Sequence, residues 1–186
     1  MQALSDTYAA LDGPELSVYV CGGAGLLFLK LIDRPTQDID LLGPPDIPDQ
    51  FWRAAALTAK NFGLPVDWIN TSPSFLWKMG LPDGFYDRCK IFKLKERLSH
   101  LKIFLSSRLD QIHFKLFAAI DELQFNLSQY GITSHHLEDL KKLNPKKNEI
   151  KLACDWCLKQ EYQQDIKKTL TDLLNQEGWG HVIRKV

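Results

Sequence analysis

With 186 residues, 45% hydrophobic and 25% charged, and 23 Lys and Arg against 23 Asp and Glu, the chain can bury a core, and this composition excludes a disordered polymer. Its longest apolar run, residues 18–29, has 12 residues where a membrane helix needs about 20, so no membrane span is expected. Asp6 and Asp12 sit where a secretory leader would be basic and then apolar, so a cytoplasmic location is expected.

Residues 16–21 form a valine-rich run that Gly22-Gly23 interrupts before helix formers at 24–32, a strand, tight turn and helix. After Arg34-Pro35-Thr36, residues 37–42 alternate polar with apolar and meet Gly43-Pro44-Pro45, which must end them, so a second strand is expected. Residues 51–62 read as a helix, 64–70 as a third strand, 73–84 as a loop or short helix, and 85–92 and 100–104 as further strands. From residue 107 the pattern turns helical, with segments expected near 107–127, 133–143, 147–160 and 162–176, parted by Gly131, Asn144-Pro145 and the stretch around Glu161. The fold class is therefore α+β, a mixed sheet with helices over residues 1–105 followed by a helical C-terminal part over 106–186 packed on it.

The zero net charge conceals a gradient. Residues 1–90 hold 7 Lys and Arg against 11 Asp and Glu, a net −4, whereas residues 91–186 hold 16 against 12, a net +4. Two such halves suit a metal ion and a phosphate, or are simply two solvated surfaces. The four cysteines are too few and scattered for a disulfide framework, and Cys154-Asp-Trp-Cys157 lies in a helical pattern with no second Cys/His pair at a matching distance, so it reads as helix packing rather than half a zinc site.

The chemistry concentrates in Gly22-Gly23 and, 14 residues on, Asp38-Ile39-Asp40. Alternate strand residues share a face, so Asp38 and Asp40 point one way and Ile39 toward the core. Adjacent carboxylates repel unless solvated or bridged by a cation, and their hard oxygens suit Mg²⁺, whose other ligands are waters and substrate phosphates. Gly-Gly between a strand and a helix is where backbone N–H groups can approach a phosphate closely. Asp67, in Val66-Asp67-Trp68, is a third carboxylate that a neighbouring strand would bring toward the pair. Lys115 stands in an otherwise apolar stretch, 112–120, whose one other polar residue is His113, so it must meet an anion or reach to solvent.

These residues resemble the nucleotidyltransferases of the polymerase-β-like superfamily, and within it the AbiEii-like or MenT-like minimal nucleotidyltransferases. The signature of that family is a Gly-Gly or Gly-Ser turn, a helix, Arg-x-Thr/Ser-x-Asp-Ile-Asp, then Lys-Leu-x-Ala and a later Asp-Leu. Here it reads Gly22-Gly23, Arg34-Pro-Thr36-Gln-Asp38-Ile-Asp40, Lys115-Leu-Phe-Ala118 and Asp139-Leu140, over about residues 16–157.

The resemblance implies an Mg²⁺- or Mn²⁺-dependent enzyme that moves a nucleoside monophosphate from an NTP to a hydroxyl. Asp38, Asp40 and Asp67 would hold the metal, Gly22 and Gly23 would cradle the triphosphate, and Arg34 and Thr36 would brace the turn or touch phosphate. Lys115 would meet the triphosphate, and Asp139 would complete the site or hold Lys115. The chain departs from the pattern at His135-His136, where relatives often carry Asp three residues before Asp139. The implied acceptor is an RNA or tRNA 3′ end, a protein or a small molecule, and a toxin–antitoxin role would add an antitoxin partner. The alternative is a catalytically silent relative that keeps the fold and binds nucleotide or protein.

Overall fold

The β-branched and aromatic residues of the first apolar run make β1 (Leu16–Cys21), which leads into α2 (Gly22–Phe28), after an N-terminal helix α1 (Gln2–Ala10) that the periodicity did not reveal. The computed structural model describes residues 1–95, 100–124, 134–160 and 166–180, and the chain divides into two compact units, Met1–Ser107 and Arg108–Val186.

The first unit is built on a five-stranded mixed sheet completed by β2 (Ile39–Gly43), β3 (Ile69–Asn70), β4 (Lys90–Ile91) and β5 (Leu101–Leu105), in the order β3-β2-β1-β5-β4. β1 runs antiparallel to β2 and parallel to β5, β2 is parallel to β3, and β4 is antiparallel to β5. One face of the sheet is apolar. Val18, Val20, Leu41 and Ile103 are buried there against α1 and α3 (Asp49–Phe62), with Tyr8 meeting Phe51 edge to face. A core ring the size of Phe51 contributes on the order of 3–5 kcal/mol against alanine. α3 carries Asp49 in its first turn, Lys60 in its last, and Gly63 beyond it at φ +63, the left-handed conformation glycine adopts freely.

Several expected elements change. Residues 64–67 are not strand, because the Trp68 N–H closes a turn on the Pro65 carbonyl and pairing begins only at Ile69. Residues 85–88 form a short helix, α5 (Phe85–Arg88), before β4, where strand was expected. The 73–84 stretch holds a 3-10 turn at Ser72–Ser74 and a short helix, α4 (Phe75–Met79).

The second unit is helical. It comprises α6 (Arg108–Gln124), α7 (His135–Lys142), α8 (Lys147–Leu158) and α9 (Ile166–Gln176), with α6 packing against the other three. Trp156 of α8 lies 5.8 Å from each of the His113, Phe114 and Phe117 rings of α6. Ser134 caps α7 by accepting the Leu137 N–H, and Glu149 accepts the Lys146 N–H as α8 begins beyond Pro145. The breaks expected at Gly131 and around Glu161 fall outside the described residues. Among the described residues no helix is long and apolar enough to cross a membrane.

Candidate functional site

Antiparallel pairing sets Cys21 opposite Asp40, and Gly22 follows at φ +65. Any side chain on Gly22 would adopt a strained conformation, and its Cβ would overlap Asp40 Oδ2. The carboxylate thus lies directly over the turn. On Gly23 a Cβ would meet Thr36 Oγ1 at 3.0 Å and Arg34 Nη2 at 3.4 Å. Two segments ten residues apart in sequence therefore fold onto one another, with a bare backbone as the floor and Arg34, Thr36 and Asp40 as its cover.

Asp38 completes the group. It precedes β2, and the buried Ile39 between it and Asp40 enters the core, so both carboxylates share the opposite face and are half-buried. Thr36 Oγ1 donates to Asp38 Oδ1 at 3.3 Å, and Asn70 Nδ2 donates to Asp38 Oδ2 at 3.2 Å. Parallel register explains Asn70, since β3 places it beside Asp40. Residue patterning missed it because Asp67 drew attention as the acid of that stretch; Asn70 ending an apolar pair was the available signal.

Asp67 requires correction. In place of a strand position flanked by buried residues, it occupies the turn between Pro65 and Trp68, is exposed, and has Val66 at 88% exposure beside it. Only Trp68 is buried, its indole N–H donating to the Ala55 carbonyl at 3.1 Å. Among the described residues no group of three or more His, Cys, Asp and Glu side chains gathers as a metal cluster, so Asp67 does not join Asp38 and Asp40 in one. The pair still suits a hard cation, because Mg²⁺ needs only one or two protein carboxylates when waters and phosphates supply the rest.

Lys115 and Asp139 meet within the helical unit. Lys115 Nζ lies 2.8 Å from Asp139 Oδ2, with the side chains only 5% and 0% exposed. Of the two roles expected for Asp139, this geometry is that of holding Lys115. His136 brings Nδ1 to 3.3 Å from the ammonium and Nε2 to 3.6 Å from Glu122 Oε1. With its proton on Nε2 the ring accepts from Lys115 through Nδ1 and turns its N–H toward Glu122. Ser134 extends the chain of contacts by donating to Glu122 Oε2.

The cysteines are packing residues. Cys154 and Cys157 are free thiols buried in α8. Burial, with Asp155 adding to it, pushes Cys154 up to about 12, and burial raises Cys157 well above the usual thiol range.

No family model, curated protein or solved structure matches this chain.

Proposed function

We propose that the first unit binds a nucleoside triphosphate with Mg²⁺ or Mn²⁺ and transfers its nucleoside monophosphate to a hydroxyl of an acceptor, as the resemblance to minimal nucleotidyltransferases implies. One observation carries the reading: Asp40, Thr36 and Arg34 close over Gly22 and Gly23, with Asp38 held on the same sheet face.

Asp38 and Asp40 would hold the metal, which when bound offsets phosphate charge and makes the acceptor hydroxyl a better nucleophile. The missing side chains of Gly22 and Gly23 leave the room in which Asp40, Thr36 and Arg34 gather, and the Arg34 guanidinium there would offer positive charge to phosphate. Thr36 and Asn70 fix the Asp38 carboxylate from both oxygens, so its direction is set before substrate arrives. In the transfer the acceptor hydroxyl gives its proton to solvent and its oxygen bonds to the α-phosphorus, as the bond to the bridging oxygen breaks and pyrophosphate leaves. The acceptor is proposed to be an RNA end, a protein or a small molecule.

A second reading, a nucleotide-binding relative that transfers nothing, is favoured by one feature: Asn70, not a third carboxylate, sits beside Asp40. The deciding experiment incubates the protein with each α-labelled NTP, Mg²⁺ or Mn²⁺ and total RNA or lysate, comparing wild type with Asp38→Ala and Asp40→Ala. Label transfer by wild type alone supports the enzyme. Metal-dependent NTP binding without transfer supports the silent relative, and no NTP binding by folded wild type removes both.

A further inference from the structure

The face of the sheet that carries Asp38 and Asp40 is not bare beyond them. On β1, Tyr19 lies two residues before Cys21 and shares its side, and Cys21 is the partner of Asp40. Tyr19 is the hub of an aromatic cluster. Its ring stacks on Phe104 of β5 at 5.2 Å and 17°, and lies 5.5 Å from Trp77, 5.7 Å from Phe85 and 5.6 Å from Tyr86. Trp77 of α4 lies so close over the Gly43 backbone, opposite Tyr19, that any Cβ there would overlap the indole.

This cluster is open at one end. Phe85 is fully buried, whereas Tyr86 is 54% exposed while remaining edge-on to Tyr19, Trp77 and Phe85. Burial, then the neighbouring Cys89 and Tyr86, raises the Tyr19 phenol above its usual range, so the hub stays neutral. From Gly22 back to Tyr19 is three residues, about 10 Å along the chain, within the reach of an extended nucleotide from its phosphates to its base. A nucleotide whose phosphates lie at Gly22-Gly23 can therefore direct its base toward these rings.

Building on the phosphate site described above, we propose that the Tyr19–Trp77–Tyr86 platform binds the base of the nucleotide by stacking, with Tyr86 as the accessible ring. Every base has a π-face, so the platform selects nucleotides over bare polyphosphate more strongly than one base over another.

The test is calorimetric titration of the full chain in Mg²⁺ with ATP, GTP, CTP, UTP and inorganic tripolyphosphate. Wild type is expected to bind the nucleotides about tenfold or more tighter than tripolyphosphate, within the range of one aromatic–base stack. Tyr86→Ala and Tyr86→Leu, the latter keeping apolar bulk without a π-face, are expected to erase that preference while tripolyphosphate affinity stays unchanged. Tyr86→Phe is expected to keep the preference. Equal affinity of wild type for nucleotides and tripolyphosphate, or a preference that survives in both Tyr86 variants, overturns the platform and leaves the phosphate site standing. Tripolyphosphate affinity indifferent to Asp38→Ala, or no binding of any probe, overturns the phosphate site and the platform with it.

Discussion

The molecule holds two polar clusters built on opposite terms. In the first unit Asp38 and Asp40 are half-buried at the edge of a glycine floor, and the two donors to Asp38, Thr36 and Asn70, are neutral. In the second, Asp139 is fully buried and answered by the lysine ammonium at 2.8 Å. A carboxylate held by neutral groups keeps its charge available to an incoming cation. One sealed against lysine is already neutralised, and its contribution is to the arrangement of α6 against α7. The same residue type thus keeps a half-exposed charge in one place and is locked into packing in the other, according to burial and the charge of its neighbours.

The sharpest way to break this contrast is to remove one carboxylate from each cluster. Asp139→Ala leaves a buried lysine charge without its carboxylate and is expected to destabilise the helical unit by about 3–5 kcal/mol, seen as lost amide-exchange protection in α6 and α7. Asp38→Ala, from a half-exposed site, is expected to shift stability by less than about 1 kcal/mol while abolishing metal-dependent nucleotide binding. Replacing both partners, Lys115→Met with Asp139→Leu, is expected to recover most of the loss, because no orphaned charge remains. Equal protection in the Asp139 and Asp38 variants would erase the distinction.

Next in size is the glycine floor. Gly22→Ala puts a side chain at φ +65 and against Asp40 Oδ2, with an expected destabilisation of about 1–2 kcal/mol. Asp40 must also move, so metal-dependent nucleotide binding is expected to fall at least as far as in Asp40→Ala. Gly23→Ala, which meets Thr36 at 3.0 Å without a positive φ, is expected to be milder on stability. A Gly22→Ala protein that binds metal and nucleotide normally would show that the close approach of Asp40 is incidental.

Much of this was legible in residue spacing because it depends on local rules. Gly-Gly after a valine-rich strand and two acids separated by one apolar residue specify a turn and a shared face wherever they occur. The helical character of the second unit followed from its periodicity, interrupted at Pro145. Register was not legible. That Asn70 rather than Asp67 stands beside Asp40 depends on which pair of residues β2 and β3 match, and a shift of a few positions exchanges one polar group for another. Pro65 was the local sign that residues 64–67 turn, but a two-residue strand carries too little pattern to set its own start. The sequence of α6 alone favoured an anion over solvent for Lys115, and the resemblance offered Asp139 as one such anion, but the contact itself depends on how α6 meets α7.

A smaller effect separates exposed from buried ion pairs inside the second unit. Arg108 Nη1 lies 2.5 Å from Glu149 Oε1, with side chains 32% and 21% exposed. Desolvation is the largest influence on Glu149 and raises it, but the Arg108 hydrogen bond and charge, the Lys146 N–H and the Lys146 charge together hold it below the usual carboxylate value. A depressed carboxylate is proton-free in the folded chain at pH values where the unfolded chain has begun to bind a proton. Its contribution is therefore full above the unfolded value and is lost as pH falls through the lower folded one. Glu149→Gln is expected to lose up to about 1 kcal/mol at neutral pH, after allowance for solvent screening. The gap between variant and wild type should close on acidification, as read from urea midpoints across the acid range. A gap constant with pH would show that the ionisation of Glu149 is not linked to folding.

The smallest expected effect concerns the thiols, which test whether burial in the helical unit is complete. With Cys154 and Cys157 enclosed in α8 and pushed far above the usual thiol range, neither supplies thiolate at neutral pH. Iodoacetamide applied to the native protein is expected to label the half-buried Cys89 first and to leave both helical cysteines unmodified until denaturant is added. Mass spectrometry of the digested protein reads each site separately. Early labelling of Cys154 or Cys157 would mean that α8 opens on the timescale of the reaction. The protection expected of α6 and α7 would then have to be measured against that opening, since α8 packs on α6.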